Sequence, residues 1–396
     1  MDLHWLKPLL GRPSPFTTVY LDVTRADAAG EAEAADRWRG LRRSLERDGA
    51  PAAVLDEIGE RVAVPTGVRG PHGRVVVADA HGVVVDRVLR QPPAQSTGEV
   101  GPAPALLPVV RAADETVHYL VVAADRNGAD LAWHASDDAH GATRRETVEG
   151  GHDDVHKTRE GALSRRGQTR AEDSWQRNAE VVAAAVDRAV AAEPLDVVVL
   201  TGDVRAVALV REELGRAAAD LAVEVAGGAR AEGARADVFE DRVADALEAV
   251  RERRRSAVLD RFREAQGRGE GAVTALDDVV EVLRRGQVAE LVVHVDALGG
   301  GLRDRELRVG PEPLQLAASS ADLEALGVTG ETRTLAAGVA LLRAAIGQDA
   351  GVTFADDGGA ELVDGIGALL RWSDGSTPSE AVPTQSADQR RLRSVL

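Results

Sequence analysis

The chain of 396 residues is long enough for two or three domains with hydrophobic cores of their own. It contains no cysteine, which excludes disulfides, thiolate zinc sites and cysteine nucleophiles, and it has no apolar run near the roughly 20 residues that span a bilayer. The net charge of −17 argues against a protein that coats nucleic acid over its whole surface, although it permits a local basic site.

The first part of the chain predicts an α+β domain. Its opening residues, MDLHWLKPLLGRPSPF, lack the basic and apolar regions of a signal peptide, so we expect a soluble, cytoplasmic protein. Residues 15–24 predict a strand, two helical patterns follow from about 30 to 63, and the Val-rich runs GRVVVAD and GVVVDRV predict two more strands. In HYLVVAADRNGADLAWHA, two alternating strands flank Asn127-Gly128, a pair typical of a tight hairpin turn.

The next part alternates helix and strand. Residues 149–169 are rich in Gly, His, Asp and Arg without apolar periodicity, which predicts a linker and loop. A helix is expected from about 170 to 193, then a buried strand in LDVVVLTGD, a helix over about 204–219 with Asp203 as its cap, and a strand in LAVEVA. This alternation is typical of a small α/β domain with a mostly parallel sheet.

A helical pattern over 236–266 leads to a third, α/β unit. It contains helix ALDDVVEVLRRG, strand VAELVVHVD, helices near 320–326 and in TLAAGVALLRAAIGQ, strand GVTFAD and the segment DGIGALLRW. The predicted organisation is therefore an N-terminal domain (1–148), a linker and loop (149–169), a middle domain (170–265), a C-terminal domain (266–375) and a disordered tail (376–396).

Arginines cluster twice along this acidic chain. The run 251–268 is interleaved with Glu252, Asp260 and Glu264, which favours pairing along a solvated helix face. In GALSRRGQTRAEDSWQRNAE (161–180), Arg165, Arg166 and Arg170 instead flank the flexible pair Gly167-Gln168. Glu172 and Asp173 are expected near the positive N-terminal end of the following helix. Guanidinium groups bind phosphates bidentately, so these arginines predict either a phosphate contact or an exposed lead-in to the helix.

Other candidate sites are weaker. His152, Asp153, Asp154 and His156 have metal-ligand spacing, but no helical pattern surrounds them and a solvated linker is the favoured interpretation. LTGD lacks the spacing of a phosphate-binding glycine loop, and LGGGLRDR (298–305) predicts a mobile loop. Ser164 has no nucleophile-elbow motif around it, which argues against a hydrolytic triad. We predict no cofactor and no metal.

Three features in order carry a family resemblance: the Gly/Arg loop that opens a helix, the segment VVEVLRRGQVAELVV, and the ending DGIGALLRW. Together they resemble the archaeo-eukaryotic release factor and Pelota superfamily. More closely, they resemble the actinobacterial relatives of the ribosome hibernation factor Balon. The resemblance covers the chain except its tail.

The resemblance implies a role for each domain. The N-terminal domain would face the decoding centre, and the loop of the middle domain would approach the peptidyl transferase centre. The C-terminal domain, of the kink-turn-binding ribosomal protein type, would dock a translational GTPase, EF-Tu in bacteria. The loop would then contact ribosomal RNA in the A site through Lys157, Arg159, Arg165, Arg166, Gly167, Gln168, Thr169, Arg170 and Arg177.

The sequence also departs from the release-factor pattern. Arg166-Gly167-Gln168 stands where release factors place Gly-Gly-Gln, and the motifs that read stop codons are absent. We therefore expect a ribosome-binding factor that acts in hibernation or rescue without codon-directed release, and with no membrane or DNA partner. The alternative is a peptidyl-tRNA hydrolase of the ribosome-quality-control type, in which Gln168 would orient the water. A third possibility is a regulatory protein that does not contact the ribosome.

Overall fold

The computed structural model describes most of the chain and divides it into two compact units. The described residues are 3–24, 28–66, 71–89, 91–136, 142–150, 165–228, 236–294, 296–297, 301–302, 304–356 and 358–378, with 28–31, 165–173 and 236–237 described by their backbone alone. One unit, here called the discontinuous unit, combines residues 1–115 with 254–396. The other, the central unit, is formed by residues 116–253.

The discontinuous unit begins with an antiparallel sheet. Its elements are a 3-10 helix (His4–Leu9), β1 (Phe16–Asp22), α1 (Ala28–Arg47), α2 (Ala52–Ala63), β2 (Gly73–Asp79), β3 (Gly82–Leu89), β4 (Thr97–Gly101) and α3 (Leu107–Glu115). The strand order is β3-β2-β1-β4, with every pair antiparallel. The strands and both helices predicted between residues 15 and 89 are confirmed.

Both faces of β1 are buried because its side chains alternate between two cores. Val19 and Leu21 pack in one cluster with Trp38 of α1 and Ile58 of α2. Phe16 and Tyr20 belong to a second cluster, which the C-terminal part of the same unit completes. This first sheet is therefore covered on both sides.

The central unit contains a five-stranded mixed sheet. Its elements are β5 (His118–Asp125), β6 (Gly128–Ala135), β7 (Arg144–Glu149), α4 (Arg165–Ala192), β8 (Val197–Gly202), α5 (Val204–Glu213), α6 (Arg216–Leu221), β9 (Ala222–Glu224) and the first part of α7 (Ala236–Arg268). The strand order is β7-β6-β5-β8-β9, in which β8 pairs in parallel with both of its neighbours. The hairpin predicted around Asn127-Gly128 is confirmed as β5 and β6.

The continuous apolar run of β8 reflects helices on both faces of this sheet. Val198 and Leu200 pack in one cluster with residues of α4, α5 and α6. Val197 and Val199 point the other way and pack with Leu247 of α7. The central unit is thus a three-layer α/β/α arrangement, as expected for a strand that is apolar at every position.

Two boundaries differ from the predicted domain organisation. A boundary near 148 would separate β5, β6 and β7 from β8 and β9, yet the structure joins all five strands in one sheet. The units divide instead between residues 115 and 116. The second division, between residues 253 and 254, lies within α7 rather than near 265. The composition change near 149 marks the end of β7. Sheet membership depends instead on the pairing of β5 with β8, in which Tyr119 pairs with Val197 much further along the chain.

The C-terminal part of the discontinuous unit contributes two further sheets. Its elements are β10 (Ala272–Thr274), α8 (Leu276–Arg284), β11 (Val288–His294), β12 (Glu306–Val309), β13 (Leu316–Ala317), α9 (Ser320–Ala325), β14 (Arg333–Ala336), α10 (Ala337–Gly347), β15 (Gly351–Ala355), a 3-10 turn (Val363–Gly365) and β16 (Ile366–Leu370). One sheet has the order β10-β16-β11-β15 and the other β13-β12-β14. Residues 379–396 of the expected tail and much of LGGGLRDR lie outside the described residues.

The DGIGALLRW segment forms β16 and the turn before it. Gly365 has φ +71° at the turn, a conformation that favours glycine. A Cβ at Gly367 would stand 2.7 Å from the ring of Phe262 in α7 and 2.9 Å from Leu362. Both glycines are therefore needed for the local backbone and for close packing in this unit.

The arginines of α7 are largely engaged within the protein. Arg263 and Arg268 pair with Asp260 and Glu264 one turn earlier, as predicted for a solvated helix face. Arg251 pairs with Glu248 at 2.9 Å. Arg254 donates to the carbonyl of Asp114 at 2.9 Å. These contacts favour a structural role for this arginine cluster.

Candidate functional site

The carboxyl ends of β5 and β8 meet at one edge of the central sheet, where α/β sheets commonly bind ligands. Gly202 ends β8 with φ +120°, and a Cβ there would overlap the carbonyl of Ala124 in β5. Beside it, the buried hydroxyl of Thr201 accepts a hydrogen bond from the N–H of Gly228 at 3.0 Å. The edge is closely packed rather than an open cradle for a ligand.

Asp203 caps helix α5 at this edge. Its carboxylate accepts hydrogen bonds from the N–H groups of Arg205 at 2.9 Å and Ala206 at 3.2 Å. The predicted cap is thus confirmed. Because a carboxylate already occupies the helix N-terminus, the LTGD segment is a poor binding site for a phosphate.

The turn between β5 and β6 approaches the same edge. Asp125 accepts hydrogen bonds from the N–H groups of Asn127 at 2.8 Å and Gly128 at 3.0 Å, which fixes the turn. A Cβ at Gly128 would overlap the carbonyl of Val148 in β7. The N–H of Gly150, just beyond β7, donates to the carbonyl of Asn127 at 2.7 Å.

Helix α4 begins at Arg165, five residues before the predicted start near 170. Arg165, Arg166, Gly167, Gln168, Thr169 and Arg170 lie in its first turns instead of in a loop. Arginine and glutamine are good helix formers, and a single glycine in a helix costs only about 1 kcal/mol, so the helix extends through the motif. The expected placement of Glu172 and Asp173 in the first turn is wrong, because no acidic residue occupies that turn.

Further along, α4 packs against the hairpin turn through one arginine. The guanidinium carbon of Arg126 lies 4.6 Å from the ring centroid of Trp175, and its Nε lies 3.5 Å from Asp203 Oδ2. The side-chain amide of Asn178 donates to the carbonyl of Arg126 at 2.9 Å. We call this group of four residues, Arg126, Trp175, Asn178 and Asp203, the Arg126 clasp. It joins the β5–β6 turn, α4 and the start of α5.

The interior of the clasp is tightly packed. Asn178 is 2% exposed, and a Cβ at Gly150 would overlap its side chain. Trp175 Nε1 and Asn178 Oδ1 are buried and have no hydrogen-bond partner among the described residues. A buried unpaired polar group costs about 1–3 kcal/mol, so the packing around Trp175 is maintained at some expense of stability.

The predicted RNA-contacting residues fall into three groups. Lys157 and Arg159 lie outside the described residues, as do His152, Asp153, Asp154 and His156. Residues 165–170 share the first turns of α4, and Arg177 is exposed further along the same helix.

The sequence does not predict the Arg126 clasp, because Arg126 and Trp175 are distant in sequence and no motif marks either of them. Gly150 lies in the segment 149–169 that the sequence predicts as a linker and loop, yet it packs closely against Asn178.

The described part of the chain has neither a metal-binding cluster nor a membrane-spanning helix. No group of three or more His, Asp and Glu residues there is arranged to hold a metal ion. No helix among those residues has the length and apolarity needed to cross a membrane.

Comparison with known proteins connects this region to a family. Residues 118–268 match the family described as bacterial archaeo-eukaryotic release factor family 2. Two Mycobacterium tuberculosis proteins, Rv2629 of strain H37Rv and MT2704 of strain CDC 1551, are each 29% identical to the chain over 381 residues. Each alignment covers 94% of this chain and 96% of the mycobacterial protein.

Several solved structures also align with the chain. The archaeal termination factor aRF1 is 15% identical with a TM-score of 0.21, over 93% of this chain and 96% of its own. Archaeoglobus fulgidus Pelota is 13% identical with a TM-score of 0.31, over 90% and 95%. Saccharomyces cerevisiae Dom34 is 10% identical with a TM-score of 0.38, over 78% and 81%. Structural similarities with TM-scores this low carry no argument about family. The family match therefore covers residues 118–268, over which the chain is similar to bacterial archaeo-eukaryotic release factor family 2.

Proposed function

We propose that the protein is a ribosome-associated factor that binds ribosomal RNA through the first turns of α4. The observation that carries the proposal is the position of Arg165, Arg166 and Arg170, here called the arginine segment. These three arginines begin a long helix inside the region that matches a release factor family. Within the proposal, the protein occupies the A site during hibernation or rescue, and the arginine segment contacts RNA near the peptidyl transferase centre.

The charge distribution supports a local RNA contact. The chain carries a net charge of −17, so most of its surface repels a polyanion. Three arginines within six residues at a helix start provide a compact exception, since guanidinium groups bind phosphates bidentately. Arg177 is exposed on the same helix. An acidic body with a small basic region favours specific docking over indiscriminate RNA binding.

The motif at the arginine segment supports binding without peptide release. Arg166-Gly167-Gln168 replaces the double glycine whose backbone freedom holds water beside the ester in release factors. Here, in addition, Gly167 lies within helical backbone. The proposal therefore assigns no catalytic role to Gln168. It includes EF-Tu as the docking partner of residues 266–375, on the strength of the family resemblance.

Co-sedimentation of the purified protein with ribosomes from its own organism, across a salt series, tests the proposal. Three phosphate contacts predict that log K falls with log salt with a slope of about −2. The double variant Arg165→Glu, Arg166→Glu should abolish pelleting, because it reverses two of the three charges. Arg39→Glu, Arg43→Glu is the matched control. It changes the net charge equally on the exposed face of α1 and should leave pelleting intact.

Two further arms separate the proposed function from its alternatives. Gln168→Ala should pellet like the wild type, and neither protein should cleave peptidyl-tRNA in the same fractions. Cleavage that Gln168→Ala removes would identify a hydrolase instead. A protein that does not pellet even at low salt would contradict ribosome binding altogether. Repeating the salt series with EF-Tu present tests whether EF-Tu is a docking partner. If EF-Tu leaves the affinity of the protein for ribosomes unchanged, it is not one.

A further inference from the structure

We infer that Arg126 and Trp175 are positioning residues that set the direction of the arginine segment without contacting RNA themselves. The inference rests on the proposed function. Its structural basis is the Arg126 clasp, in which one side chain and its own carbonyl hold three elements of the central unit. The guanidinium stacks on Trp175 and faces Asp203, while the carbonyl accepts from Asn178.

The Arg126 clasp holds α4 about three turns after the helix begins. Trp175 is ten residues after Arg165, which corresponds to about 15 Å along a helix. Short stretches of helix are marginally stable unless tertiary contacts hold them, so the turns before Trp175 depend on its anchorage. A small tilt of the helix at Trp175 is magnified over that distance into a displacement of the arginines.

The clasp is also connected to a rigid support. The turn that carries Arg126 is fixed by Asp125, and the N–H of Gly150 donates to the neighbouring carbonyl of Asn127. On the other side, Asp203 is held by its hydrogen bonds to the first turn of α5. Movement of α4 therefore requires the loss of its contacts to both the β5–β6 turn and the start of α5. Rigid support of this kind is what holds a side chain or segment in a fixed position.

The central unit contains a second arginine–tryptophan pair that serves as a control. Arg144 lies over Trp133 with its guanidinium carbon 4.1 Å from the ring centroid, and it pairs with Glu193 at 3.1 Å and Glu146 at 2.8 Å. Trp133 lies in β6 and Arg144 in β7, so this pair joins two strands and the far end of α4. Arg144→Ala removes a comparable stack without disturbing the start of α4.

Hydrogen exchange of the full-length protein tests the inference without any ribosome. In Arg126→Ala and Trp175→Ala, the backbone amides of residues 169–174, which have acceptors within the helix, should exchange about tenfold faster or more, while those of 179–192 keep their protection. Trp175→Phe retains an aromatic face and should restore part of the protection. Arg144→Ala should leave the exchange of residues 169–174 unchanged. Unchanged exchange in both clasp variants would overturn the inference, whatever the ribosome measurements give.

Ribosome binding then tests the functional consequence. Arg126→Ala and Trp175→Ala should each weaken pelleting about three- to tenfold at fixed salt, and the double variant should lose no more than either alone. The salt slope should stay that of the wild type, because no phosphate contact is lost. A slope reduced by about one in Arg126→Ala would show direct phosphate contact and contradict positioning. A wild-type protein that never pellets would contradict the proposed function but leave the exchange result standing.

Discussion

Two carboxylates of the discontinuous unit are half-buried. Asp114, in α3, faces the N–H of Phe354 at 3.5 Å, and Glu290, in β11, accepts from the hydroxyl of Thr353 at 2.7 Å. Burial raises the pKa of both groups, although Arg254 and Arg261 nearby oppose the shift. The folded protein therefore holds these protons more tightly than the unfolded chain does.

Glu290→Gln should raise Tm near neutral pH. A carboxyl whose pKa is raised on folding contributes full stability below its unfolded pKa, and that contribution is lost as pH rises through the folded pKa. The neutral amide escapes this loss, so its advantage over wild type should be largest at pH 7–8 and should vanish toward pH 4. Thermal unfolding at several pH values measures it. Glu264→Gln, at an exposed site, is the control, and a lower Tm for Glu290→Gln at neutral pH would contradict the prediction.

At the scale of elements, the edge of the central sheet depends on how strands end and helices begin. β8 ends at a glycine that fits against the carbonyl of Ala124, and the next residue, Asp203, caps α5. Gly215, before α6, donates its N–H to Asp187 of α4 at 3.1 Å and separates two helices where one was predicted over about 204–219. These terminal contacts hold α4 and α5 against the sheet.

Asp203→Ala should lower the free energy of unfolding by about 1 kcal/mol, because the N–H groups of Arg205 and Ala206 lose their acceptor. Asp203→Asn keeps an accepting oxygen and should retain most of that stability, while the ion pair with Arg126 is lost in both variants. Urea unfolding monitored by circular dichroism separates the cap from the ion pair. Equal losses in the two variants would assign the stability to the ion pair instead.

At the scale of the whole molecule, the chain is organised around one contiguous and one discontinuous unit. The central unit has its own sheet with a core on each face. In the discontinuous unit, Phe16, Tyr20 and Val77 of the first sheet share a core with Leu291 and Phe354 of the C-terminal part. Residues 1–115 therefore cover one face of their sheet only in part unless residues 254–396 are present.

A fragment of residues 116–253 should fold alone and unfold cooperatively in urea, because both faces of its sheet are covered from within. A fragment of residues 1–115 should instead expose an apolar sheet face, bind a hydrophobic dye and aggregate. Cooperative unfolding of the second fragment, without dye binding, would contradict the shared core. The pair of fragments distinguishes this division of the chain from the one predicted at residue 148.

The sequence by itself determined most of the local structure. Alternation and apolar runs predicted β1, the β5–β6 hairpin and β8, and the cap at Asp203 followed from residue type and position alone, because each depends on neighbours along the chain. The arginine segment was visible for the same reason. The sequence did not predict that this segment is helical. Gly167 and the polar composition are typical of a loop, whereas the flanking residues have high helix propensity, so the two local signals disagree.

Only the tertiary structure decided which strands share a sheet and which side chains meet. The pairing of β5 with β8 and the contact of Arg126 with Trp175 join residues about 50 to 80 positions apart, and no local pattern specifies such partners. The boundary between the two units, which lies within α7, likewise depends on tertiary packing. Val243, Leu247 and Val250 pack in the core of one unit, whereas Leu259, Phe262 and Ala265 pack in that of the other. Periodicity shows that a helix has an apolar face, but only packing decides which core that face enters.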